Sequence, residues 1–259
     1  NTPYGNVVVD VSSPLLVVRV SGGFDSALLL YLVAKSAANH NPDAIIQPIT
    51  VVRANHPDFP HMHRVDNLPI VDNIVNWVRS VFPDLNLQDK SHGDAIDWWR
   101  SESYTDMQKQ LLENFCDEDA TKDQEHADLT GAKFIPDPYN HAVIDFCGIT
   151  KNPPVILGDK HHFRELHRDF DHQTVESESD SVTVIINKDI VRVHHQENFR
   201  NADKRVVIGL AKQLDIFDKI NAISRSCEGN REATNSWTKT CNTCWWCLER
   251  EWAISEVYK

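Results

Sequence analysis

No stretch of this chain comes near the ~20 consecutive apolar residues that a membrane-spanning helix needs, so the sequence predicts no membrane partner. The opening stretch, which starts Asn1-Thr2-Pro3, shows no secretory signal. The chain also opens without Met, which leaves a removed leader open. Positive charge is scarce: 26 Lys and Arg face 38 Asp and Glu, a net charge of −12. A surface of that sign repels polyanions at long range, which argues against a general DNA or RNA binder. The six cysteines do not spread as a disulfide framework, because three fall in the run Cys241, Cys244, Cys247. That crowding is metal spacing and fits a reducing, cytoplasmic setting. His161, His162, His167 and His172 lack the His-x-x-x-His spacing of a helical zinc pair. The remaining composition, 41% hydrophobic and 25% charged over 259 residues, is that of one or two soluble globular domains.

What is present concentrates in Val17–Ser26. Leu15 to Val18 are apolar, run into Arg19 and Val20, and read as a buried strand. Ser21-Gly22-Gly23 are turn formers, and Ala27 to Ala34 (ALLLYLVA) read as a buried helix. Strand, glycine turn and helix together make an anion-binding layout. Adjacent glycines let the backbone approach a ligand with no Cβ in the way. The first N–H groups of the helix and its dipole then point at negative charge. The stretch is not a Walker loop, since no Gly-Lys-Ser/Thr follows, and no third glycine makes it a dinucleotide fingerprint.

Along the chain, Val7-Val8-Val9 is expected as an edge strand. Ala44 to Val52 reads as a second strand, with Pro48 a complication for a central position. Strand, helix, strand predicts a parallel βαβ unit whose ligands sit at the carboxyl ends of the strands. The polar loop 53–66 begins at such an end, and Arg53, His56, His61, His63 and Arg64 are candidate substrate contacts or plain surface residues. Residues 70–81 predict a helix, with Ile70, Ile74, Val75 and Val78 on one face. Residues 90–130 read as mostly helical and acidic, with Trp98 and Trp99 ahead of the helix and Cys116 as a small buried apolar residue. Ala142–Cys147 is another strand. It leads into a second glycine-bearing loop, where Gly148, Thr150 and Lys151 can meet phosphate or an acidic substrate. Ser181–Asn187 is a strand. A helix beyond Asn201 buries Val206, Val207, Leu210 and Leu214. Lys204 at its start is a cation that opposes the helix dipole, which tilts the reading toward a functional lysine.

Near the C-terminus, Cys227, Cys241, Cys244 and Cys247 form the pattern C-x13-C-x2-C-x2-C. Four thiolates at this spacing suit a closed tetrahedral zinc site. An iron–sulfur cluster is the alternative. Trp245 and Trp246 sit between ligands and are expected to pack the knuckle on the sheet.

The string Ser21-Gly22-Gly23-Phe24-Asp25-Ser26 resembles the pyrophosphate loop of the ATP pyrophosphatases, which have the adenine-nucleotide alpha hydrolase fold. Adding Lys204, Ser224-Arg225-Ser226-Cys227, the three late cysteines and Arg250, the chain resembles the 7-cyano-7-deazaguanine synthase family in its first and last quarters. That resemblance implies an α/β fold of the Rossmann-like HUP type, doubly wound around a mainly parallel sheet, with a C-terminal four-cysteine zinc knuckle. It implies an ATP-binding domain over 1–221 with a helical insert near 85–175, and a zinc subdomain over 222–259. It further implies cleavage of ATP to AMP and pyrophosphate, to activate a carboxylate or amide for attack by ammonia. The loop Ser21–Ser26 would cradle phosphates, and Asp25 would help hold magnesium. Backbone around Val18 and Val51 would read adenine, and Gly148 and Thr150 would contact nucleotide. Lys204 and Lys151 would neutralise phosphate charge. The implied partners are a small molecule such as a 7-deazaguanine acid, ammonia, and a second copy of the chain. Cys147, just before the second loop, is an outside candidate for a persulfide carrier. Two other readings stay open: a sulfurtransferase with an iron–sulfur cluster, and a nucleotide-binding module without catalysis.

Overall fold

A computed structural model describes residues 1–52, 67–94, 143–148, 150–151, 153–154, 181–186, 189–199, 202–227, 234–235 and 239–259. Several expectations lie outside them: the contacts proposed for Arg53, His56, His61, His63 and Arg64, the acidic stretch with Trp98, Trp99 and Cys116, and the histidines at 161, 162, 167 and 172.

The first strand, β1, is Leu15–Arg19, and the glycine turn leads directly into α1, Phe24–His40. Asn41 caps α1 and ties its end to the preceding chain, its Nδ2 donating to Val11 O at 2.8 Å and Ser13 O at 2.9 Å. β2, Ile45–Val52, then runs parallel to β1, with Leu15 opposite Ile45 and Arg19 opposite Ile49. α2, Leu68–Val81, starts with Pro69 in its first turn, where a missing N–H costs nothing. Two short strands follow, β3 (Asn86–Leu87) and β4 (Ser91–Asp94), both parallel to β2. They are polar and brief, so no alternation marked them in the sequence. β5 is Val143–Cys147, β6 Ser181–Ile186 and β7 Asp189–Glu197.

These strands form one seven-stranded sheet in the order β3-β2-β1-β5-β7-β6, with β4 also on β2. Every pairing is parallel except β6 with β7. The chain is therefore α/β with a mainly parallel sheet. The steps β1 to β2 and β2 to β3 move the same way across it, so right-handed crossovers put α1 and α2 on one face. There Leu16, Val18, Ile46, Ile144 and Phe146 meet Leu28, Leu29, Val33 and Val78 in one core. Tyr31 of α1 stacks on Trp77 of α2 at 5.4 Å between ring centres. Val17 and Ile49 point the other way along their strands and are buried as well, so both faces are covered at the centre of the sheet.

Pro48 is accommodated because the outer ladder of β2 breaks there. β3 pairs with it through Ile46, and β4 resumes at Ile49. Successive strand residues present their backbone groups to opposite neighbours. Ile49 O accepts from Val20 N–H on the β1 side at 2.8 Å, so Pro48 faces the gap, where no donor is needed. Gln47 spans that gap, its Nε2 donating to Pro48 O and Asp89 O, each at 2.9 Å.

Val7–Val9 do not form the expected edge strand. Val8 O accepts from Asn198 Nδ2 at 2.7 Å, and Asp10 N–H donates to Gln196 Oε1 at 3.4 Å. Side-chain amides at the end of β7 stand where a ladder partner would, and the Val8 side chain is 78% exposed.

Three helices complete the described structure: α3 (Lys204–Gln213), α4 (Phe217–Ile223) and α5 (Trp245–Val257). α5 packs against α3, and Ala253 joins the main core, whereas the cysteines form a small cluster of their own. None of the described helices is long and apolar enough to cross a membrane.

Leu16→Ala removes a fully buried side chain from the central strand and should cost about 3 kcal/mol in urea unfolding. Val8→Ala should change stability by less than about 0.5 kcal/mol, and a comparable loss at both positions would contradict the core assignment.

Candidate functional site

The turn between β1 and α1 lies at the carboxyl end of the sheet, and each of its residues has a distinct task. Gly22 sits at φ +89°, an angle that favours glycine, and a Cβ there would also crowd Ile70 Cγ2 at 3.3 Å. The phenyl ring of Phe24 is buried against Phe217, which anchors the first helical residue. Ser21 N–H donates to Ser26 Oγ at 3.1 Å, and Ser26 Oγ donates to Gly23 O at 3.1 Å. The Ser21 and Ser26 hydroxyls lie 3.2 Å apart. Asn67 at the start of α2 braces the turn, its Nδ2 reaching Ser21 O at 3.3 Å and Thr50 Oγ1 of β2 at 3.2 Å.

The C-terminal segment closes the turn from the other side. Arg225 N–H donates to Gly22 O at 2.7 Å. Ser226 Oγ accepts from Phe24 N–H at 3.0 Å, so a hydroxyl 202 residues away supplies the cap that Gly23 cannot. The next two helix amides, of Asp25 and Ser26, have no partner among the described residues. Two free N–H groups at the positive end of a 17-residue helix form an anion donor pair.

Lys204 comes to this point from the first turn of α3. Asp203 caps that helix, its Oδ1 accepting from Arg205 N–H at 2.9 Å. The Lys204 side chain is 2% exposed, and its ammonium donates to Asp25 Oδ2. Glu249 of α5, fully buried, places Oε2 3.6 Å from the same ammonium. Asp25 keeps its other oxygen, Oδ1, buried, with no hydrogen-bond partner among the described residues.

The other expected site residues fall around this centre. Gly148 lies beneath Asp25: a Cβ there would approach the Asp25 carbonyl carbon and oxygen at 3.5 Å. Thr150 is buried, and Lys151 N–H donates to Ala202 O at 3.0 Å, which lays the second loop beside the start of α3. The Lys151 side chain is exposed and has no ion pair with the described residues. Val18 is laddered on both sides, to Pro48 and Phe146. Val51 lies past the last β1 pairing at Ile49, towards the carboxyl end of β2. Cys147 is buried at the end of β5. Sequence reasoning missed Glu249, Asn67 and Thr50. The one signal for Glu249 was a carboxylate on the buried stripe of α5, beside Trp245, Cys247 and Ala253.

The four expected cysteine ligands do come together. The Sγ atoms of Cys227, Cys241, Cys244 and Cys247 all lie within 4.8 Å of one another, and Cys241 and Cys247 are 3.9 Å apart. Zn–S bonds near 2.3 Å imply sulfur separations of about 3.8 Å, so the group can hold one metal ion such as zinc. Asn242 takes φ +56°, a left-handed conformation open to Asn. The following N–H groups thereby turn onto Cys241 Sγ, from Thr243 at 3.5 Å and Cys244 at 3.2 Å. Burial works against the Cys241 thiolate, but these N–H groups outweigh it and hold the thiol below its ordinary pKa. Cys247 is pushed far up, first by its hydrogen bonds to Cys227 and Cys244, then by burial. Four sulfurs this close repel one another as thiolates unless a cation sits among them. Trp246 packs against the cluster, and Trp245 is buried.

No protein-family model matches the chain, and a search of curated proteins returned no match either.

Ser226→Ala should remove the borrowed cap at about 1 kcal/mol, lowering the melting temperature by roughly 2–4 °C. An unchanged melt would mean the cap is not formed. The purified protein should carry one metal ion per chain. Cys244→Ser should lose most of it, and unchanged metal content would sink the four-cysteine centre.

Proposed function

We propose that this chain is an ATP pyrophosphatase that adenylates a carboxylate or amide, in the manner of the 7-cyano-7-deazaguanine synthases it resembles. In this reading the sheet is the doubly wound, HUP-type Rossmann-like sheet of that class. The four-cysteine centre is then structural zinc, and the enzyme works in the cytoplasm. The observation that carries the reading is the meeting of Asp25, Lys204 and two free helix amides at the end of the central strand. An anion donor pair alone is a common device. An anion site that also holds a buried ammonium and a carboxylate with an unpartnered oxygen is suited to a polyphosphate with its cation.

In this mechanism the Asp25 and Ser26 amides receive phosphate oxygens, and Gly22 and Gly23 allow the close approach. Asp25 is the carboxylate that would hold magnesium, a hard cation that takes oxygen ligands and offsets pyrophosphate charge. A substrate oxygen attacks the α-phosphorus, the bond to the bridging oxygen breaks, and pyrophosphate leaves with its charge met by Lys204 and the helix amides. Ammonia then displaces AMP from the adenylated carbon. The residues position and neutralise, so the reaction needs no elaborate acid–base set.

The sulfurtransferase alternative would place an iron–sulfur cluster among the cysteines. Four sulfurs within 4.8 Å of each other leave room for a single ion, which favours zinc.

With ATP, magnesium, 7-carboxy-7-deazaguanine and ammonium, the expected products are AMP and pyrophosphate, resolved by chromatography or phosphorus NMR. AMP formation with other carboxylates, but not this one, would keep the class and change the substrate. ADP, or no turnover with any acid or amide, would overturn the reading. Asp25→Ala and Lys204→Met should each lower the AMP-forming rate at least about 100-fold. Retained turnover in either would remove that residue from the mechanism.

A further inference from the structure

Lys204 has two carboxylates, and they are held differently. Asp25 stands at the turn, 23% exposed, with one oxygen on Lys204 and the other without a hydrogen bond among the described residues. Glu249 is fully buried on α5, 3.6 Å from the ammonium. α5 is seated at both ends of its first turns: Cys244 caps it and Cys247 lies within it, both in the four-sulfur group. The same helix packs on α3, which carries Lys204. The backbone bearing Glu249 is therefore held by helix packing, and a metal bound at the four sulfurs would fix it further.

We infer that Glu249 is a positioning residue that keeps the Lys204 ammonium in place when Asp25 turns to a cation brought by an anionic nucleotide. The inference rests on the nucleotide reading of the turn. A buried ammonium that loses its counter-ion is strongly disfavoured and would withdraw toward water. Glu249 removes that difficulty, because its carboxylate remains beside Nζ whatever Asp25 does. Asp25 can then exchange its lysine contact for a magnesium contact, and Lys204 stays aimed at the turn, free to meet phosphate. The four-cysteine centre is thereby linked to the loop by charge placement as well as by the Ser226 cap.

The test is the affinity for α,β-methylene-ATP, measured by calorimetry with and without added magnesium, in the full-length protein and in Glu249→Gln. Cysteine-site metal content is measured alongside. With magnesium, Glu249→Gln should bind roughly tenfold more weakly than the wild type. Without magnesium, Asp25 still holds Lys204, and the two should agree within about twofold. Equal affinities in magnesium, an equal loss with and without it, or loss of the cysteine-bound metal would each overturn the inference. Should Glu249→Gln not fold, Lys204→Met and Lys204→Met/Glu249→Gln decide, since that double change removes both buried charges together. Equal affinity in that pair supports Glu249 acting through Lys204, and a further fall in the double variant overturns it. A wild type that binds no analogue at all would instead overturn the nucleotide reading itself.

Discussion

The placement of one buried ammonium constrains much of this molecule. Lys204 is almost fully removed from water, and a charge there persists only where carboxylates meet it. Those carboxylates come from opposite ends of the chain, Asp25 from the first helix and Glu249 from the last. The three helices that carry these groups, α1, α3 and α5, must therefore converge on one point. The same convergence brings Ser226 onto the Phe24 amide and Arg225 onto Gly22. The geometry of the turn is then not a local property of Ser21–Ser26. It is assembled by a segment some two hundred residues downstream.

The four cysteines explain why that downstream segment holds its position. A run such as Cys241-Asn242-Thr243-Cys244 has little apolar surface with which to fold itself. Metal binding supplies the missing stabilisation in small motifs of this kind. Here Cys227 directly follows Ser226, and Cys247 precedes Glu249 by two positions, so a metal at the four sulfurs would fix both groups that touch the turn. Removing an ion from the four sulfurs would be felt at the start of α1, through Ser226 and its hydrogen bond to Phe24. Hydrophobic packing does the remaining work through α5 and α3, with Ala253 in the main core.

Much of the architecture was legible because it is written in local patterns. The buried strand Leu15–Val18, the all-apolar helix after Ser26 and the stripe Ile74, Val75, Val78 each produced the expected element. The four cysteines were legible from spacing alone. Three features were not. β3 and β4 are too short and polar for periodicity to reveal, and they exist because β2 offers an edge. Val7–Val9 has the composition of a strand, yet the Asn198 side-chain amide takes the Val8 carbonyl and Gln196 takes the Asp10 N–H just beyond it. Glu249 was hidden because its partner comes from a different helix, and a lone Glu between Leu248 and Arg250 reads as an ordinary helix-surface residue. Pro48 shows the converse: the sequence raised an objection to a central strand, and a gap in the outer ladder answers it.

The most direct test is of the anion site that every later step needs. Backbone amide resonances of Asp25 and Ser26 should be followed by nitrogen–proton NMR while magnesium pyrophosphate is titrated into the protein. Saturable shifts at those two amides, with Phe24 little changed because Ser226 already holds it, are what the structure predicts. Resonances of Asp25 and Ser26 that stay fixed up to millimolar pyrophosphate would contradict the account.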